Sequence, residues 1–240
     1  MLEVSKSKKA VVLLSGGLDS STLAYYVKSK GYDVYAISFD YGQKSQRELD
    51  ASRKIGQLLG VKEHKFIKID LKSIGGSALT SNIDVPEADT TYDSKKQGIS
   101  DIRDIPITYV PARNTIFLSI ALAYAEVIDA DVIFYGANCI DYSGYPDCRP
   151  EFIDAFNNLA KVGTKKGIEG GTIKIEAPFL FYTKKDIVKT ALDLGVPIEE
   201  TWSCYSDGDE PCGKCDSCII RQKAIDEVIS ERNELRDRLY

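Results

Sequence analysis

The sequence predicts a doubly wound α/β protein: a parallel sheet with helices on both faces, and a small cysteine-bearing helical region after it. Three observations lead there. Short apolar runs alternate with longer stretches whose apolar residues recur at helical spacing. The first of these runs is apolar throughout, as a strand covered on both faces must be. A glycine pair then stands between that run and the first helical stretch, in Ser15-Gly16-Gly17-Leu18-Asp19-Ser20. That is where a parallel sheet offers a ligand both a strand end and a helix start.

The elements follow in order. Residues 10–14 are short enough for a buried strand. Residues 20–30 place Leu23, Ala24 and Val27 at helical spacing and stop at Gly31. A second strand is expected over 34–39, a helix over 45–59 closed by Gly60, and a third strand over 66–71. Residues 114–129 are strongly helical and lead into a strand over 132–135, followed by a helix at 151–161 and an extended piece at 173–177. Thr183 with Asp186 resembles a capping box ahead of Ile187, Val188, Ala191 and Leu194, and Gly195 ends that helix. The charge-rich residues 230–240 read as a solvated helix end. One segment, 72–105, breaks the rhythm with Gly75, Gly76, Pro86 and many Ser, Thr and Asp residues. A loop of this length is either a lid over the site or a solvated insertion. The division expected is an α/β domain over 1–195 and a cysteine region over 196–240.

Composition narrows the function. With 43% hydrophobic and 28% charged residues in a chain of 240, a full core can be buried. The net charge of −5 argues against a surface built to grip a nucleic-acid backbone. No apolar run reaches membrane-spanning length. The opening lysines precede an apolar run shorter than a signal peptide needs, and it leads into the glycine loop rather than a cleavage site. A cytoplasmic protein, with neither nucleic acid nor membrane as its main partner, is the expectation.

The glycine loop points to phosphate. A helix start carries unpaired N–H groups and a partial positive charge. Adjacent glycines let the backbone approach a ligand without a Cβ in the way. Ser15, Ser20, Ser21 and Thr22 add hydroxyls, and Asp19 is either a helix cap or a carboxylate beside magnesium. No Gly-Lys-Ser/Thr follows, so this is not a Walker loop. Cys204, Cys212, Cys215 and Cys218 run as C-x7-C-x2-C-x2-C, with Gly213 helping the turn to close. Four thiolates suit a closed structural zinc site, and an iron–sulfur cluster would use the same ligands. Cys139 and Cys148 stand apart and read as buried thiols. Trp202 is expected to pack beside the metal, and His64, the one histidine, to be solvated.

The Ser-Gly-Gly-x-Asp-Ser loop resembles that of the N-type ATP pyrophosphatases, the PP-loop superfamily, which hold pyrophosphate while a substrate is adenylated. Further segments are more specific. They are Phe39-Asp40-Tyr41-Gly42-Gln43, Val110-Pro111-Ala112-Arg113-Asn114-Thr115, Gly136-Ala137-Asn138, the stretch 141–150, Thr201-Trp202-Ser203-Cys204 and Pro211-Cys212-Gly213-Lys214-Cys215-Asp216-Ser217-Cys218. Together they resemble the 7-cyano-7-deazaguanine synthase family over nearly the whole chain, residues 72–105 matching least. That family usually has Gly where this chain has Ala112, a small change expected to leave function intact.

The resemblance implies an ATP-dependent carbon–nitrogen ligase of queuosine or archaeosine synthesis, working as a homodimer. It would convert 7-carboxy-7-deazaguanine and ammonia to the 7-cyano compound through an activated carboxylate and then an activated amide. Leu13, Leu14, Ser15, Gly16, Gly17, Leu18, Asp19, Ser20, Ser21, Thr22 and Leu23 would hold ATP with magnesium. Arg113 would pair with phosphate, or simply face solvent at a helix start. Asp141, Tyr142, Tyr145, Asp147 and Arg149 would read the deazapurine by stacking and hydrogen bonding, although a rigid surface loop carries similar residues. The four clustered cysteines would hold zinc. The rival reading is a tRNA-modifying, sulfur-transferring enzyme of the same superfamily, which wants a free cysteine and a basic surface.

Overall fold

The computed structural model describes residues 7–80, 105, 107–140 and 145–231. Strands β1 (Lys9–Leu13), β2 (Asp33–Asp40), β3 (Glu63–Lys68), β4 (Val132–Phe134) and β5 (Lys174–Glu176) form one sheet in the order β3-β2-β1-β4-β5. Every pairing is parallel. Around it lie helices α1 (Leu18–Ser29), α2 (Arg47–Leu59), α3 (Arg113–Val127), α4 (Pro150–Gly163), α5 (Lys165–Ile168), α6 (Lys184–Asp193) and α7 (Asp216–Glu231). None of the described helices is long and apolar enough to cross a membrane.

The alternation of side chains along β1 builds two cores. Ala10, Val12 and Leu14 face one way and pack with residues of α1, α2, α6 and α7. Val11 faces the other way and packs with Phe117, Leu118 and Ala121 of α3 and Phe156 of α4. Val11 and Val12 are both fully buried, and each contributes about 1.5–3 kcal/mol by leaving water. The doubly wound arrangement expected from the apolar runs is thus the one observed. Strand order reverses beside β1, so a crevice opens at the carboxyl ends of β1 and β4, where α/β sheets bind ligands.

Local rules account for the helix ends. Gly31, Gly60 and Gly195 all carry positive φ just past α1, α2 and α6. The capping box is formed: the Thr183 hydroxyl accepts from the Asp186 N–H, and the Asp186 carboxylate accepts from the Thr183 N–H.

Two expectations shift. Strand β3 lies earlier than 66–71, because it is an edge strand with Lys65, Phe66 and Lys68 exposed. Pairing with β2, from Tyr35↔Glu63 to Asp40↔Lys68, sets its position instead of apolar pattern. His64 is not solvated. Its ring lies over Gly56 of α2, its Nε2 is 2.8 Å from the Ser38 hydroxyl, and burial lowers its pKa to about 4. Helix α7 covers 216–231, whereas the expected helix end at 230–240 falls outside the described residues from 232 onward. Ala224, Ile225, Val228 and Ile229 of α7 enter the core beside α6, so the cysteine region is packed onto the sheet. Of segment 72–105, residues 81–104 lie outside the described part, and its near end is pinned by the Ala78 N–H donating to the Ile107 carbonyl.

Candidate active site

A cleft of about 260 Å³ opens at the strand ends. The glycine loop, the turn after β2, the start of α3, the end of β4, Tyr145 and the Trp202–Tyr205 segment all line it.

The glycine loop is held by backbone contacts. Gly16 has φ 89°, and a Cβ there would lie 2.2 Å from the Glu48 carbonyl oxygen and 2.6 Å from the Ser52 nitrogen. Gly16 is therefore required by its packing on α2 rather than by room for a ligand. Gly17 is the residue that leaves space, since its Cβ would meet only ordinary contacts, the nearest at 3.4 Å. Gly17 is also the N-cap of α1 and provides no side-chain cap. The N–H groups of Asp19 and Ser20 have no backbone acceptor among the described residues, as the first turn of a helix leaves them. The Ser15 and Ser20 hydroxyls lie 2.9 Å apart and brace the turn.

Asp19 is not a cap. Its two carboxylate oxygens accept from Lys184 Nζ at 2.8 and 2.6 Å, and both side chains are mostly buried, Lys184 11% and Asp19 20% exposed. Sequence reasoning missed Lys184. It is the first residue of a capped helix, a position at which a surface lysine is ordinary, and only the fold turns it toward the loop. Of the residues expected to hold ATP, Leu13, Leu14, Ser15, Gly17, Leu18, Asp19 and Ser20 line the cleft. Ser21, Thr22 and Leu23 are buried in α1, away from it.

The opposite wall carries a buried polar network. Arg113, the first residue of α3, lines the cleft and lies 5.9 Å from the Tyr41 ring centroid. Burial disfavours its charge, but Tyr41, Tyr145 and Asp147 more than offset this, so the guanidinium stays protonated. Asp147 is 4% exposed and does not line the cleft. Its carboxylate accepts from the Asn114 N–H at 3.1 Å, capping α3 beside Arg113. Burial raises the Asp147 pKa, with the Asn114 N–H and Arg113 pulling it back. Tyr145 lines the cleft, and its hydroxyl pairs with Thr108 at 2.8 Å. Arg149 precedes α4 and stands outside the cleft, while Asp141 and Tyr142 lie outside the described residues. Phe39 and Phe117 stack at 4.0 Å on the same wall. Cys139 is half-buried and Cys148 buried; burial pushes the Cys148 thiol up to about 12, which makes it inert.

Ala112 stands before this wall with φ 53°, in the left-handed region. That geometry is the physical reason for glycine at this position, and an alanine here carries strain.

The four clustered cysteines converge, with Sγ atoms all within 4.8 Å of one another. Backbone N–H groups of Ser206 and Cys212 donate to Cys204 Sγ at 3.3 Å, and that of Lys214 to Cys212 Sγ at 3.5 Å. The Lys214 bond is the chief cause that lowers the Cys212 pKa to about 6. Four converging sulfurs, two of them taking backbone N–H bonds, fit a tetrahedral thiolate centre such as zinc. This unit is also a wall of the cleft. The Trp202 N–H donates to the Gly16 carbonyl at 2.9 Å, and the Trp202 indole donates to the Cys204 carbonyl. Half-buried Arg221 of α7 donates to the carbonyls of Thr201 and Ile198. Asp207 accepts from the Gln46 N–H and Asp209 pairs with Arg47, so acidic residues tie the cysteine loop to α2.

Comparison with known proteins agrees with this geometry. Residues 9–229 match the family model described as queuosine biosynthesis protein QueC. A 7-cyano-7-deazaguanine synthase of Thermoplasma acidophilum is 54% identical, covering 93% of this chain and 90% of that protein. One from Trichodesmium erythraeum is 53% identical, covering 92% and 96%. Among solved structures, a 4-thiouridine synthetase in complex with RNA and ATP superposes with a TM-score of 0.52 at 18% identity. It covers 94% of this chain and 53% of that one, a likeness of fold alone.

Proposed function

The chain belongs to the QueC family of queuosine biosynthesis, and from that premise we propose that its cleft makes 7-cyano-7-deazaguanine from 7-carboxy-7-deazaguanine, ammonia and ATP. The observation that carries the reading is one cleft joining a helix start ready for phosphate to an aromatic, positively charged wall.

Neither a carboxylate oxygen nor an amide oxygen leaves readily, and adenylation on one loop removes both obstacles. The N–H groups of Asp19 and Ser20 receive phosphate oxygens at the start of α1. Lys44, Lys184 and Arg113, all on the cleft, counter the phosphate charge. The stacked Phe39 and Phe117 with Tyr145 offer a flat apolar wall for the deazapurine. Asp147 works from behind by fixing the start of α3, and so the direction of Arg113. Catalysis then rests on positioning and on charge stabilisation. Magnesium would find in Asp19 a carboxylate beside the phosphates. Zinc would be held by Cys204, Cys212, Cys215 and Cys218, giving the Trp202–Tyr205 wall its rigidity. The same reading has the protein act in the cytoplasm as a homodimer, without a nucleic-acid partner.

The likeness to the 4-thiouridine synthetase names the rival, an adenylating enzyme acting on tRNA. The test separates them. The purified protein is incubated with 7-carboxy-7-deazaguanine, ammonium, magnesium and ATP, and the products are followed by mass spectrometry. A nitrile that requires ATP, and is lost with Asp19→Asn, is the expected result. ATP consumption with an unchanged deazapurine would overturn the substrate assignment and make tRNA the next acceptor to try.

A further inference from the structure

One carboxyl group on the cleft wall is engaged by none of the contacts above. Glu48 lies in the first turn of α2, its backbone carbonyl against Gly16 and its side chain on the cleft. Among the described residues it makes no hydrogen bond or ion pair. The ionisable groups facing it are Arg113 of α3 and Tyr41 of the turn after β2, and Lys44 lines the same cleft. Burial raises the Glu48 pKa to about 7, with Arg113 pulling it back. Burial also raises that of Tyr41, which stays neutral. Two further residues of the cleft carry unpartnered polar atoms. The hydroxyls of Ser45 and Tyr135, each on a residue 3% exposed, are buried without a hydrogen-bond partner, and both residues line the cleft. Buried polar atoms without partners are rare enough to imply that something polar satisfies them in the working state.

We propose that Glu48 is the base that takes protons from nitrogen as ammonia becomes first the amide and then the nitrile. This rests on the nitrile-forming reading above. In the first half, the C–N bond forms and the C–O bond to AMP breaks with its electron pair leaving on phosphate. One proton departs from nitrogen. In the second half, the amide oxygen attacks ATP and pyrophosphate leaves. The C–O bond then breaks as AMP departs, and nitrogen loses both remaining protons to leave C≡N. No electrons change hands beyond these pairs. Three protons must therefore leave one nitrogen, and a carboxyl that titrates near neutrality can accept each and pass it to water.

The experiment uses the full-length, metal-loaded enzyme and its Glu48→Gln and Glu48→Asp variants. Substrate-dependent exchange of labelled pyrophosphate into ATP reports adenylation before nitrogen enters. Amide and nitrile are followed by mass spectrometry across pH, with free ammonia held constant. Glu48→Gln is expected to keep pyrophosphate exchange within about twofold while amide and nitrile formation fall about 10²–10⁴-fold. The rise of rate with pH through about 7 should vanish in Glu48→Gln and survive, at lower rate, in Glu48→Asp. Stability offers an independent reading. Between the ordinary carboxylate pKa and about 7, the folded state holds the Glu48 proton and the unfolded state does not. Glu48 thus lowers stability as pH rises through that window, a slope Glu48→Gln removes. Unchanged nitrile formation and pH profile in Glu48→Gln would overturn the proposal. So would a fall in exchange matching the fall in nitrile, which would make Glu48 a positioning residue for Arg113. A wild-type enzyme that makes no nitrile would sink the reading beneath it instead.

Discussion

Gly16 and Gly213 both turn the chain with positive φ, 89° and 69°, and both sit in segments that flank the same cleft, yet they are held in opposite ways. Gly16 is pressed against the backbone of α2, where a Cβ would meet Glu48 and Ser52 at impossible distances. A Cβ at Gly213 would meet nothing within 4 Å. Its turn is shaped by Cys212 and Cys215 converging on one point. One wall is built by backbone packing and the other by side-chain sulfur. The first should be intolerant at its glycine, and the second at its cysteines.

Removing a sulfur tests the second half of that contrast and should have the largest effect. Structural zinc contributes on the order of 10 kcal/mol in small zinc domains. Cys215→Ser, or exhaustive chelation, is expected to release bound zinc and to free the 201–218 segment in hydrogen exchange. Full protection of that segment without metal would show that Arg221 and Trp202 hold the wall alone. Next comes Gly16→Ala, which combines overpacking with a left-handed alanine and should cost about 2–5 kcal/mol. ATP binding should be lost with it, and a denaturation midpoint close to wild type would contradict the packing argument. Gly213→Ala meets only the backbone penalty, about 1–2 kcal/mol, and should keep its metal in elemental analysis. Equal costs at the two glycines would break the comparison. The smallest effect has the opposite sign. Ala112→Gly relieves the strain at φ 53°, less the extra entropy of glycine, for a gain of about 0.5–1 kcal/mol. An unchanged urea midpoint would show that the strain is already relieved.

What could be read in advance divides along the same line. The glycine loop, the capping box at Thr183 and the cysteine spacing depend on neighbours in sequence, and local rules reach them. The family match gives the fold and the chemistry in the same way. Contacts across the sheet are different. Lys184 finds Asp19 only because α6 begins at the mouth of the cleft. Asp147 looked like a ligand for a purine, and the structure buries it off the cleft lining, where it caps α3. Asp207 and Asp209 tie the cysteine loop to α2, which lies far from them in sequence. The reason for Gly16 was likewise hidden, because the backbone it touches lies in the next helix.

The hydrogen bond from Trp202 to Gly16 has a consequence in time. The ribosome makes the glycine loop well before the Trp202 segment that closes it. At ordinary elongation rates the gap is on the order of ten seconds or more. Through that interval the nascent chain has a loop but no finished cleft. Completion of the cleft therefore waits on the Trp202 segment.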